Sequence, residues 1–233
     1  MNSVESQRLA EIRRNTSTWL SQLDFSARHH ELSSARAPGT GSWILDSPTF
    51  RSWVDGDEEL LICEGPPGSG KSILTSFIID YLSALDPETT MVLYAYVEDK
   101  QRAHRPIGEY IGSFLRQVYE KMGNQDESKE DEIVELFNRC HQSMAEENDL
   151  FRTLNSVISR FERLYVVIDG CENLPIAFNE LHYVPNDSRP TTKRLWFYTS
   201  PAPGMTHGDK PVPNINIADY NHQMDLIPKI ELM

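Results

Sequence analysis

The chain has 233 residues and is acidic, with 35 Asp and Glu against 22 Lys and Arg and a formal charge of −13 at pH 7. An acidic surface repels phosphate backbones, so the charge argues against nucleic acid as a partner. No apolar run is long enough to span a bilayer, and the N-terminus lacks the apolar core of a signal peptide. Three cysteines without metal-knuckle spacing favour a reducing compartment, so we expect a cytoplasmic protein with no nucleic-acid or membrane partner.

The first 56 residues are predicted to form helices around a loop. Apolar residues recur at roughly helical spacing over residues 3–23, which predicts an amphipathic helix. This helix packs on its own domain or, as the alternative, against a partner helix. Residues 33–48 are rich in Gly, Pro and Ser and are predicted to be a loop. Ser47 followed by Pro48 then predicts the N-terminus of a short helix that ends near Gly56.

From residue 57 onward, apolar strand-like runs alternate with helical patterns. The predicted strands are residues 59–64, 91–97, 164–169, 194–200 and 214–218. The predicted helices between them are residues 72–85, 105–122, 132–142 and 149–162. Such alternation indicates an α/β fold with a parallel sheet. We therefore divide the chain into an N-terminal helix and lead-in segment, 1–56, and an α/β domain, 57–233.

A glycine-rich motif joins the first predicted strand to the helix after it. Residues 65–72 read GPPGSGKS and fit the pattern G-x-x-x-x-G-K-[ST]. Glycines let backbone N–H groups turn inward around an anion, and the helix directs its positive end at the same place. Lys71 would bridge the β- and γ-phosphates of a nucleotide, and the Ser72 hydroxyl would bind Mg²⁺. The predicted nucleotide contacts here are Gly65, Pro66, Pro67, Gly68, Ser69, Gly70, Lys71, Ser72 and Ile73.

Polar residues at the ends of two later strands complete the predicted site. Asp169 follows four apolar residues, so its carboxylate lies at the end of a strand where ligands bind in open α/β sheets. It is predicted to hold the Mg²⁺ with Ser72, the alternative being a simple strand end. Glu172 is the candidate to polarise a water for attack on the γ-phosphate, the alternative being a solvated loop carboxylate. Thr199 lies with Ser200 at the polar end of the fourth predicted strand and is the candidate γ-phosphate contact.

Together these motifs resemble the NACHT class of STAND NTPases, which are signal-transduction switches. The sequence upstream of the glycine motif is similar to the nephrocystin-like N-terminal module of fungal NACHT proteins that continue into ankyrin or WD repeats. The likeness covers about residues 15–220. The residues that carry the upstream match are Trp19, Leu23, Phe25, His30, Arg36, Gly39, Thr40, Gly41, Trp43, Leu45, Phe50 and Trp53.

The resemblance implies an ATP- or ADP-binding P-loop NTPase with an N-terminal helical extension. Its fold would be a three-layer sandwich around a mostly parallel five-stranded sheet of order 5-1-4-3-2. It also implies that the segment before the glycine motif lies near the base and the sugar. Thr40, Gly41 and Trp43 then become candidate nucleotide contacts, with a role as a core anchor as the alternative for Trp43.

The chain departs from the family pattern at three places. Pro201 stands where such modules usually carry Arg after the Thr-Ser pair, which should weaken γ-phosphate sensing. Asn173 follows Glu172, so one of two usual acids is missing. The sequence stops at Met233, before the helical and winged-helix parts that close over bound ADP in relatives.

The leading functional hypothesis is a nucleotide-dependent switch or assembly module with weak or no hydrolysis. Its partners would be a nucleotide and either further copies of itself or other NACHT proteins. An active small ATPase or kinase is the first alternative, and turnover of about one per second or faster would favour it. An interaction scaffold that binds no nucleotide is the second, and the absence of any ATP- or ADP-dependent thermal shift would favour that one.

Overall fold

The computed structural model describes residues 3–56, 58–97, 105–123, 131–140, 146–171, 191–198, 206–207 and 210–220. Within these ranges it contains seven α-helices and seven strands. The helices are α1 (Ser3–Leu20), α2 (Ser26–Ala35), α3 (Pro48–Asp55), α4 (Lys71–Leu85), α5 (Ile107–Gly123), α6 (Asp131–Cys140) and α7 (Glu147–Ile158). The strands are β1 (Leu60–Glu64), β2 (Thr90–Tyr96), β3 (Arg163–Asp169), β4 (Thr191–Tyr198), β5 (Thr206–His207), β6 (Lys210–Pro211) and β7 (Asn214–Asn216).

The chain divides into two compact units, and the first of them is helical. It comprises residues 1–25, 104–162 and 175–190. Within it, α1 packs against α5 and α6, and α5 packs against α7. A glycine in α5 permits the close approach to α1, since a Cβ added at Gly112 would lie 2.1 Å from the carbonyl oxygen of Leu20. The N-terminal helix therefore packs on other helices of its own unit, which is the first of the two arrangements considered from the sequence.

The second unit, residues 26–103, 163–174 and 191–233, holds a five-stranded sheet. Its strand order is β2-β3-β4-β1-β7, and all four neighbouring pairs are parallel. With β7 counted as the fifth sheet strand, this is the predicted order 5-1-4-3-2. The α/β class and the parallel five-stranded sheet are confirmed. The P-loop NTPase assignment, the three-layer arrangement and the division at residues 56 and 57 stay predictions.

Two helices in the first 56 residues were not predicted from the sequence. The helix α2 has one buried residue, Leu32, so its sequence lacks an apolar stripe. It is attached instead by polar side chains that reach α4. The segment predicted as a loop contains a 3₁₀ helix, Ser42–Asp46, that buries Trp43 and Ile44.

Some element boundaries differ from the predicted ones for identifiable reasons. The helix α1 ends at Leu20, three residues early, because the Ser21 hydroxyl accepts from the Leu23 amide at 3.0 Å and donates to a carbonyl of α5. The strand β7 ends at Asn216, two residues early. The Asn216 side chain accepts from the Ala218 amide at 3.0 Å, and the chain enters a 3₁₀ helix, Ile217–Tyr220.

The lead-in segment before β1 packs onto α4. At Pro38-Gly39 the chain makes a turn closed by the Thr40 amide and the Ala37 carbonyl at 3.1 Å, with Gly39 at φ 81°. A proline followed by a left-handed glycine is the signature of a type II turn. Two residues later Gly41, at φ 86°, lies against Phe77 of α4.

Beyond that contact, α3 begins as predicted. Ser47 caps it by accepting from the Phe50 amide at 3.4 Å, Pro48 occupies its first turn, and Trp53 on its inner side is fully buried. No helix in the described ranges combines the length and the apolar character that crossing a membrane requires.

A matched pair of glycine substitutions tests the packing of the lead-in segment. Gly39 and Gly41 both have a left-handed backbone, which an alanine adopts only with strain. Gly39→Ala should therefore lower the free energy of unfolding by about 1–2 kcal/mol, and by no more, because nothing lies within 4 Å of the added methyl group. Gly41→Ala should cost about 1–3 kcal/mol more, because its methyl group would lie 2.9 Å from Cγ of Phe77. Urea unfolding measures both. Equal losses of stability would contradict the packing of Gly41 on α4.

Candidate phosphate site

The glycine loop, residues 65–70, joins the end of β1 to the start of α4. The Gly65 amide donates to the Tyr198 carbonyl at 3.2 Å, which extends the pairing of β1 with β4 by one residue. The Ser69 amide then donates to the Pro66 carbonyl at 3.2 Å, with Pro67 and Gly68 (φ 78°) at the corner. This is the pattern of a type II turn. Gly70, at φ 85°, is the N-cap of α4.

A buried ammonium group donates hydrogen bonds to two carbonyls of the loop. The side chain of Lys71 is only 9% exposed, and its Nζ donates to the Gly65 carbonyl at 2.9 Å and the Pro66 carbonyl at 2.8 Å. These two hydrogen bonds tie the start of the loop to the first residue of α4. They also keep one positive charge beside the loop in a chain of net charge −13.

The first turn of α4 supplies the remaining donors of the predicted site. The Leu74 amide makes the first helical bond, to the Gly70 carbonyl at 2.9 Å. The amides of Lys71, Ser72 and Ile73 precede it, and the leading N–H groups of a helix have no intrahelical acceptor. The side chains of Ser72 and Ile73 are half-buried. This end of α4 therefore has the backbone donors and the dipole that suit an anion.

The structure places Asp169 at the carboxyl edge of the sheet, as predicted. It is the last residue of β3, 5% exposed, and its carbonyl accepts from the Val97 amide at 2.8 Å. In the register it pairs with Phe197 of β4, which pairs with Cys63 of β1. Two strand spacings put the backbones of Asp169 and Cys63 about 10 Å apart, and the glycine loop begins two residues after Cys63.

The donor set fits Mg²⁺ bound together with phosphates and does not fit a metal held by protein alone. Among the described residues, no group of three or more His, Cys, Asp or Glu side chains is placed to hold a metal ion. Mg²⁺ characteristically takes one or two protein oxygen ligands, phosphate oxygens and several waters. The Ser72 hydroxyl and the Asp169 carboxylate are oxygen donors of this kind.

The three predicted base-side residues lie in the lead-in segment, with different surroundings. Thr40 is half-buried in the turn at Gly39, and Gly41 packs on α4. The ring of Trp43 is 8% exposed and stacks on Tyr220, with centroids 4.1 Å apart and an interplanar angle of 15°. Sequence analysis did not single out Tyr220, because the segment around it carries no motif.

Other predicted functional residues lie outside the described residues: Glu172, Thr199 and Pro201. Two cations of β4, Lys193 and Arg194, lie in the N-terminal half of the strand, away from the carboxyl edge of the sheet. Lys193 donates from Nζ to the Gly56 and Glu58 carbonyls, and Arg194 faces Glu59 at 3.7 Å. Both side chains therefore contact the segment that precedes β1 and not the glycine loop.

A polar network that the sequence analysis missed connects α2, α4 and the end of β2. His29 Nε2 lies 3.0 Å from the Asp80 carboxylate, which also accepts from Arg36 at 2.9 Å and Ser33 at 3.2 Å. His29 Nδ1 lies 2.9 Å from the hydroxyl of Tyr96. Because a carboxylate can only accept, Nε2 carries a proton, and in the neutral ring Nδ1 accepts from Tyr96.

The network ends beside the predicted metal ligand. Tyr96 is fully buried and pairs in register with Asp169. Burial, and then the negative charge of Asp169, raise the pKa of the Tyr96 hydroxyl, which therefore keeps its proton and remains a donor. The network thus attaches α2 to the sheet edge that carries Asp169. Motif analysis missed this network because its members are far apart in the sequence, with 51 positions between His29 and Asp80.

Comparisons with known proteins identify one family. The family profile described as nephrocystin 3, N-terminal, matches residues 39–182, more than half of the chain. No curated protein matches the chain. Among solved structures, the structure of PCH-2 from C. elegans is similar at a TM-score of 0.31 and 14% identity, over 93% of this chain and 43% of that one. This chain spans less than half of the PCH-2 chain, and a likeness of that strength carries no argument about fold or function.

Two neighbouring histidines provide a test of the network. His29→Ala should lower the free energy of unfolding by about 1–3 kcal/mol, because the buried Tyr96 hydroxyl loses its acceptor. His30→Ala, at an exposed position on the same helix, should change it by less than about 0.5 kcal/mol. Denaturant unfolding of both variants provides the comparison. If the two variants are equally stable, the network does not contribute as described.

Proposed function

The chain belongs to the nephrocystin 3 N-terminal family, and on that premise we propose that it is a P-loop NTPase module of the NACHT type. It binds ATP or ADP with Mg²⁺ through the glycine loop and the start of α4. Its activity is that of a nucleotide-dependent switch or assembly module, with weak hydrolysis or none. The observation that carries the proposal is the buried Lys71 ammonium at the junction of the loop and the helix.

A buried lysine needs strong compensation, because an uncompensated charge in the interior costs several kcal/mol. Here two loop carbonyls accept from Lys71 Nζ. Phosphate oxygens are better partners for an ammonium group than neutral carbonyls, since both members of the pair are charged. A nucleotide that enters the loop would draw Nζ from the carbonyls of Gly65 and Pro66 to its phosphates. The hydrogen-bond partners of Lys71 Nζ would therefore differ between the nucleotide-free and the nucleotide-bound loop.

Mg²⁺ would be held by the Ser72 hydroxyl and the Asp169 carboxylate together with the phosphates. The bound ion supplies charge neutralisation at the terminal phosphate. Asp169 is suited to this role because it lies at the carboxyl edge of the sheet, two strands from the glycine loop. Glu172 is the proposed residue that orients an attacking water, and Thr199 the proposed γ-phosphate contact.

Weak hydrolysis follows from the sequence of the fourth strand and its continuation. Pro201 stands where relatives usually carry an arginine, and a proline supplies no charge to stabilise a transition state. A module that binds ATP and ADP with different conformations and converts one slowly into the other acts as a switch. We place this switch in the cytoplasm, where the buried thiols of Cys63 and Cys171 remain reduced. Its partners would be further copies of the chain or other NACHT proteins.

Lysine substitutions test the phosphate assignment. At ATP or ADP concentrations of about a hundred times Kd, the ligand should stabilise the wild-type chain by about 2.7 kcal/mol. Lys71→Ala should abolish that nucleotide-dependent thermal shift, because the charge at the loop is removed. Lys121→Ala in α5 removes an equal charge elsewhere and should leave the shift unchanged. A Lys71→Ala chain with the wild-type shift would refute the proposal.

Asp169→Asn tests the metal assignment separately from the phosphate assignment. The amide keeps the size of the side chain and removes its charge, so the Mg²⁺-dependent gain in ATP affinity should be lost while metal-free binding persists. Calorimetric titrations with Mg²⁺ and with EDTA measure this gain. Asp149→Asn, a half-exposed position in α7, is the control and should keep it. A full Mg²⁺ effect in Asp169→Asn would exclude this carboxylate as a ligand.

A further inference from the structure

Two aromatic rings from segments remote in the sequence form a stacked pair. Trp43, in the 3₁₀ helix of the lead-in segment, and Tyr220, at the end of the 3₁₀ helix after β7, stack with centroids 4.1 Å apart and an interplanar angle of 15°. The Trp43 side chain is buried, whereas Tyr220 is partly exposed. The stacking contact with a buried ring therefore restrains the plane of the Tyr220 ring.

The position of Tyr220 relative to the loop follows from its helix. A Cβ added at Gly65, the first residue of the loop, would lie 3.3 Å from Cβ of Ile217. In a 3₁₀ helix, side chains three residues apart project from the same side, and the rise over three residues is about 6 Å. Tyr220 thus lies on the side of Ile217 that meets the loop, one turn further along. That spacing suits a ligand whose phosphates occupy the loop and whose aromatic part extends away from it.

We propose that the Trp43–Tyr220 pair is the base-binding platform of the nucleotide site. The base, a planar heteroaromatic ring, stacks on the face of Tyr220 opposite Trp43, and Trp43 holds the Tyr220 ring in place. This assignment rests on the proposed nucleotide-binding function and adds Tyr220 as the residue that distinguishes a nucleotide from a bare polyphosphate. Stacking on an aromatic side chain does not require hydrogen bonds to a particular base, since every base has a π-face.

The test titrates the full chain, with Mg²⁺, against ATP and against inorganic tripolyphosphate, which has the phosphates without the base. The wild-type chain should bind ATP about tenfold more tightly than tripolyphosphate, or better. Tyr220→Leu should weaken ATP binding by about tenfold and leave tripolyphosphate binding unchanged. Tyr220→Phe retains the ring and should keep wild-type ATP affinity within about twofold.

The outcomes separate this inference from the function it rests on. Equal wild-type affinities for ATP and tripolyphosphate would overturn the base platform while leaving a phosphate site intact, and this result needs no variant to fold. Unchanged ATP affinity in Tyr220→Leu, or equal losses for both ligands, would also overturn it. If the wild-type chain binds neither ligand, the proposed nucleotide function fails and the platform fails with it.

Discussion

The hydrogen bonds from the buried Lys71 ammonium to the glycine loop are the interaction on which the site depends. They connect the residue that starts α4 to the carbonyls that start the loop, so the geometry of the strand–loop–helix junction depends on one side chain. Two left-handed glycines, Gly68 and Gly70, give the backbone the turn that this connection requires. The same charge that stabilises the free loop is the one a phosphate would recruit. The proposed function therefore uses a group that already has a structural role.

The parallel sheet explains why the other parts of the site lie near that junction. Parallel strands place all their carboxyl ends at one edge, so Asp169 and the glycine loop meet there although 98 residues separate Asp169 from Lys71 in the sequence. The network from Asp80 through His29 to Tyr96 attaches α2 to this edge, and the 3₁₀ helix ending at Tyr220 approaches the loop from β7. The edge is therefore assembled from segments that are remote in the chain.

The strands, the main helices and the phosphate motif were predictable because each has a local signal. Apolar periodicity marks α4 and β3, and glycine with lysine at fixed spacing marks the loop. The helix α2 escaped prediction because one buried residue, Leu32, leaves no apolar stripe, and its attachment through Asp80 depends on tertiary contacts. The Trp43–Tyr220 stack is of the same kind: neither residue has a neighbour in the sequence that indicates its partner. Local signals identify elements, whereas side-chain pairs across elements require the fold.

The central claim is that the glycine loop holds the phosphates of a nucleotide. The most direct measurement denatures the purified chain, before and after incubation with millimolar Mg²⁺-ATP and removal of free ligand, and identifies any released nucleotide by mass. The account predicts ATP or ADP in close to stoichiometric amount. Absence of any nucleotide from both samples, together with absence of binding in solution at the same ATP concentration, would contradict it.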